Sequence, residues 1–171
     1  GASVVETPPQ MLGETRFRDD FMTVAHYDFK RGVNAYLTAT GAPMASLADI
    51  VAFNAADPAK RVPWGQTLLA ASEAHTVTPE AYAEARTRNR AGARARIDDL
   101  LRANGCDLLA GTGSASFIPF AMAGAPALTL PLGRRASGEP MGATLIGRFL
   151  EDGELVAAGY ALEEALAAGK A

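Results

Sequence analysis

The sequence predicts an α/β fold: a short mixed sheet of about four strands, covered by helices and formed as one domain over residues 1–171. Three observations lead there. Several long stretches repeat apolar residues at helical spacing, and several short apolar runs bounded by Gly and Pro read as buried strands. At Asn104-Gly105 one pattern hands over directly to the other.

Residues 2–6 form a brief β-prone run stopped by Pro8 and Pro9, a candidate first strand. From residue 17 to 40, Phe21, Ala25, Phe29, Val33, Tyr36 and Leu37 recur at helical spacing, and Gly41 with Pro43 supplies the stop. Ser46, with Asp49 three positions on, opens a short helix that ends before Pro58, and a polar loop runs on to Pro63. Another short helix is expected over residues 65–74. Thr78-Pro79-Glu80 then combines a cap, a proline at the first helical position and an early acid, starting a long helix to about Ala103. Strands follow at residues 107–110, 127–132 and 141–146. An amphipathic helix over residues 154–168, with Leu155, Ala158, Leu162, Ala165 and Leu166 on one face, closes the chain.

The composition, 49% hydrophobic and 20% charged, is enough to build a core. A net charge of -3 gives no bulk attraction to nucleic acid or an anionic membrane, no apolar run reaches spanning length, and a small molecule is the expected ligand. A single cysteine, Cys106, excludes an internal disulfide and suits a cytoplasmic protein; it reads as a small buried residue. With two distant histidines beside it, no metal site of ordinary spacing assembles, and no cofactor is expected. The arginines of the long helix suggest a basic stripe. Interleaved acids, Glu84 before Arg88 and Asp98 before Arg102, instead fit a solvated, ion-paired surface.

The Gly111 to Ser116 turn between two predicted strands offers hydroxyls and free backbone N–H groups. Thr112, Ser114, Phe117, Met122 and Pro126 are therefore the candidate substrate-binding residues, at the carboxyl end of a strand where open sheets place ligands. A dinucleotide loop is disfavoured because the third glycine of that motif is missing. Ser114 and Ser116 lack a nucleophile elbow, and Ser72 with His75 reads as chance spacing.

Several segments then fall into the order of one known family. Residues 28–37, DFKRGVNAYL, are similar to an E-F-K-x-x-x-N-x-Y-L helix, and residues 46–54, SLADIVAFN, to an S-L-x-D-I-I-x-F-N segment. Cys106 to Leu109 matches a D-x-L-L strand, Ala123 to Gly133 an A-G-x-P-x-x-x-x-P-x-G stretch, and Gly138 to Gly142 a G-x-P-x-G turn. In this ordered set the chain resembles the C-terminal part of the amidase signature family, whose members hydrolyse carboxamide C–N bonds. The resemblance implies a serine-serine-lysine catalytic set upstream, with no counterpart here, so no catalytic residue is assigned. Where the family continues its strand into Pro-Thr, this chain has Gly111-Thr112.

The expected function is thus the C-terminal portion of an amidase, supplying fold and pocket wall and inactive alone. Its expected partners are the small-molecule amide of the complete enzyme and the missing N-terminal catalytic portion. Unpaired strand edges add an expectation of self-association. The competing classes are a non-catalytic binding module and, through the arginine helix, a nucleic-acid binder.

Overall fold

The structure, a computed structural model, describes residues 1–7, 15–112 and 117–169. Its order is α1 (Thr15–Thr40), α2 (Leu47–Ala55), α3 (Pro58–Arg61), α4 (Thr67–Ala74), α5 (Pro79–Asn104), β1 (Leu109–Thr112), α6 (Phe117–Ala123), β2 (Ala127–Arg134), β3 (Pro140–Ile146) and α7 (Asp152–Ala168). The chain divides into two compact units, Gly1–Phe17 with Arg88–Ala171, and Arg18–Thr87.

The first unit is a sheet between helices. Its strand order is β1-β3-β2, with both outer strands antiparallel to β3. β1, α6 and β2 therefore form a β-α-β unit whose parallel strands are split by β3. Ile146 stands opposite both Leu109 and Ala127. On that face, Ala93, Ile97 and Leu101 of α5 pack with Ala123, Ala125 and Ile146, and Cys106, Leu109, Phe120 and Met122 close around them. Since successive strand residues alternate faces, Leu128 and its partner Leu145 point the other way, toward α7. There α7 comes so close that a Cβ on its buried Gly159 would run into the Leu128 side chain. Thr129 and Thr144 face each other across β2 and β3, their hydroxyls 2.7 Å apart.

The second unit is helical among its described residues. Asn34 of α1 accepts a hydrogen bond from the backbone N–H of the buried Leu47, at 2.8 Å, tying α1 to the start of α2. Gln66 donates to the carbonyl of Val51 and accepts from Asn54, joining the loop before α4 to α2. Lys30 donates to the Glu73 carbonyl and pairs with its carboxylate at 2.9 Å.

Three differences from the sequence reading have physical causes. The sheet has three antiparallel strands, not a mixed set of four. The tight turn at 135–139 returns β3 antiparallel to β2, as a hairpin must, and β1 takes its far edge. Residues 2–6 are not a strand; Val4 and Val5 are exposed, and β-propensity without a neighbouring strand forms no ladder. Two short helices, α3 and α6, stand where loops were expected: four and seven residues are too few to show a helical period. The helix ends were legible. Cys106 N–H reaches back to the Leu101 carbonyl at 2.9 Å around Gly105, whose φ of +60 is the left-handed angle a helix-terminating glycine supplies.

The Ser46 cap also forms as read. The Ser46 hydroxyl accepts from Asp49 N–H at 3.2 Å, and the Asp49 carboxylate accepts from the N–H groups of Ser46 and Ala45, both at 3.0 Å. The Ser46 hydroxyl first, and the Ala45 N–H second, hold the Asp49 carboxyl below its ordinary 3.8. A depressed folded value stabilises the helix start at pH above the unfolded value and stops doing so as pH falls through the folded one. Replacing Ser46 with Ala should move the Asp49 titration, followed by carboxyl NMR, back up toward 3.8; an unchanged midpoint would show that the cap does not govern it.

Candidate functional site

A cavity of about 280 Å³ opens in the first unit between α5, the end of α6 and the turn joining β3 to α7. Ile97, Ala123 and Ala125 make its apolar wall, continuous with the core. Arg94, Asp98, Arg148, Phe149 and Glu151 bring the polar and aromatic groups.

Helical spacing places Arg94 and Asp98 four residues apart on α5, so both reach the same opening. The Arg94 Nε donates to the Ala123 carbonyl at 2.9 Å, and its guanidinium lies 3.4 Å from the centre of the Phe149 ring. Arg148 spans three segments. Its Nη2 donates to the Cys106 carbonyl at 3.4 Å, its Nε lies 3.8 Å from Asp98, and its Nη1 lies 3.6 Å from Glu151. These ion pairs are 31–43% exposed and longer than a good hydrogen bond, so they orient the turn more than they stabilise it. The ion pairing expected along α5 is rearranged accordingly: Asp98 faces Arg148, and Arg102 pairs with Asp99 at 2.8 Å.

Four of the five residues singled out from sequence lie in this same unit. Thr112 ends β1 and is exposed, Phe117 opens α6, and Ser114 lies outside the described residues. Met122 packs against the core, while its neighbours Ala123 and Ala125 line the cavity. Pro126 is half-buried, and its carbonyl accepts from Gly147 N–H at 3.1 Å. Sequence reasoning missed Arg94, Arg148, Phe149 and Glu151. The junction after β3 read as a polar connection, and nothing in its local pattern shows that α5, far earlier in the chain, closes over it.

In the second unit a serine and a histidine meet. His26 Nδ1 lies 2.8 Å from the Ser72 hydroxyl, which itself donates to the Leu68 carbonyl at 2.8 Å. The single Ser72 proton thus has two acceptors at the same distance, the Leu68 carbonyl and His26 Nδ1, and the direction of the second contact follows the His26 tautomer. His75, three residues on, instead accepts the Val77 N–H through Nδ1 at 3.1 Å.

No family model matches the chain. A probable amidase of Arabidopsis thaliana is 30% identical over 141 residues, 81% of this chain and 28% of that protein. The solved structure of a peptide amidase from Stenotrophomonas maltophilia superposes with a TM-score of 0.75 at 31% identity, covering 88% of this chain and 34% of that one. The chain is a relative of the signature-family amidases. The A subunit of the glutamyl-tRNA(Gln) amidotransferase of Gluconobacter oxydans adds 50% identity over 50 residues, 29% of this chain and 10% of that subunit. This amidase relative spans about a third or less of the length of the proteins it matches. Among its described residues, no helix is long and apolar enough to cross a membrane.

If Ser72 is structural, Ser72→Ala should lower the unfolding free energy by about 1–3 kcal/mol, because it removes a buried hydroxyl bonded to both His26 and the Leu68 carbonyl. Chemical denaturation measures it; no loss of stability would leave the buried hydroxyl without a structural reason.

Proposed function

We propose that this chain is the C-terminal portion of an amidase-type hydrolase, contributing framework and pocket wall to an enzyme that cleaves carboxamide C–N bonds. The observation that carries this reading is the match to the peptide amidase fold over 88% of the chain but only 34% of that protein. Amide hydrolysis requires an activated nucleophile, a proton carrier to the leaving amine and preorganised donors for the oxyanion. By the family resemblance these belong to an upstream serine-serine-lysine set. In the one serine-histidine contact among the described residues, the Leu68 carbonyl competes with His26 for the proton of a buried Ser72 hydroxyl.

In this reading Thr112, Ser114, Phe117, Met122 and Pro126 lie on the side of the sheet that meets the substrate and the catalytic portion. The substrate is a small-molecule amide, and the chain requires that catalytic portion for turnover. Losing a single oxyanion donor costs about 100- to 1,000-fold in rate, so lacking the nucleophile and proton carrier as well should leave no measurable activity. An ammonia-release assay on a panel of primary amides should find none with the 171-residue chain, and turnover with a protein that also carries the upstream serines and lysine. Turnover by the chain alone, abolished by Ser114→Ala or Ser116→Ala, would overturn the proposal in favour of a local nucleophile.

A further inference from the structure

The cavity beside Phe149 holds two polar groups whose bonding capacity is not filled among the described residues. Arg148 already has counter-charges, its three nitrogens facing Asp98, Glu151 and the Cys106 carbonyl. Arg94 commits its Nε to Ala123 and one flat face to the Phe149 ring, while its two terminal nitrogens make no hydrogen bond among the described residues. Guanidinium presents those terminal donors as a fork that matches a carboxylate. Across the same opening, the Glu151 Oε2 atom is buried without a hydrogen bond, its nearest cation being Arg148 at 3.6 Å. That oxygen is closed to solvent, so a ligand in the cavity meets the Glu151 carboxylate from its exposed side, with the partly exposed Asp98 carboxylate lining the same opening.

The turn that brings these groups together is strained. Leu150, at φ 69, is the one non-glycine residue with positive φ among those described, and its side chain is 76% exposed, so burial there does not offset the cost. The left-handed residue sets Phe149 over Arg94 on one side and Glu151 against the cavity on the other. Strain of this kind is held where a particular arrangement of neighbours is needed.

We infer that this cavity binds a small zwitterion, an α-amino acid with a compact apolar side chain. Its carboxylate would meet the Arg94 fork, its ammonium would donate to Glu151 and Asp98, and its side chain would lie on Ile97, Ala123 and Ala125. Charge favours that class over either half of it. Two guanidiniums and two carboxylates line the site, with Arg148 shared between both carboxylates, so a lone anion would leave them one cation short and a lone cation would leave the Arg94 fork empty. Size points the same way, since about 280 Å³ falls just under the range of cavities that hold drug-sized ligands.

The inference does not depend on the hydrolytic reading, because binding here uses none of the groups that hydrolysis requires. The probe is L-valine, titrated into the 171-residue chain by NMR with the Ile97 methyl signals as reporters. Saturable binding with a dissociation constant on the order of 1 mM or tighter is expected. Arg94→Gln and Glu151→Gln should each weaken it by about tenfold or more, as loss of a charge-assisted hydrogen bond does. Should either variant unfold, wild-type chain with isobutylamine and with isovalerate decides, each carrying one of the two charges and expected to bind about tenfold more weakly than valine. No saturable shift with valine, equal binding by the variants, or a half-ligand that binds as tightly as valine would each overturn the inference.

Discussion

The stripe of Ala93, Ile97 and Leu101 along α5 is the surface against which the sheet, α6 and the cavity wall are assembled. Three residues at successive turns leave one line of apolar side chains on an otherwise polar helix, and all three are essentially buried. Burying a side chain such as Ile97 or Leu101 contributes about 1.5–3 kcal/mol, far more than any of the exposed ion pairs nearby. Ile146, at the end of the central strand, and Ala123 and Ala125, flanking the turn after α6, meet that line because the split β-α-β connection brings them to one face. Small residues at 93, 123 and 125 let backbone segments approach closely, and where they stop filling space the cavity begins.

How much of this was legible depended on the range of the signal. The cap at Ser46, the start at Thr78-Pro79-Glu80 and the stop at Gly105 are local hydrogen-bonding problems that a few adjacent residues solve, and each appears as read. β2 and β3 were likewise visible as apolar runs between glycines and prolines. Sheet order was not, since inserting β3 between β1 and β2 depends on which strand the hairpin turn delivers to which edge. Residues 2–6 show the opposite failure: a β-prone composition with nothing to pair with. The cavity was the least legible feature. Arg94 read as one arginine of a solvated stripe, although Phe149 and the Ala123 carbonyl, both distant in sequence, take it out of that role.

In the function proposed above, framework and chemistry are divided between this chain and a catalytic portion. Its relatives are amidases, and its fold superposes on part of one. The same division explains why its polar contacts look structural. His26 supports Ser72, Lys30 holds the end of α4, and Arg148 ties α5 to the turn before α7. The remaining unspent groups, the Arg94 fork and the Glu151 oxygen, suit recognition better than bond cleavage, since neither is a nucleophile beside a base.

The most direct test of that separation is covalent labelling with a fluorophosphonate that reacts only with activated serines, read by intact-mass and peptide mass spectrometry. The account predicts no adduct on any serine of the 171-residue chain, Ser72 included, whose hydroxyl is buried and bonded to the Leu68 carbonyl as well as to His26. A stoichiometric adduct on one of these serines, lost on denaturation, would place a working nucleophile inside this chain and contradict the account.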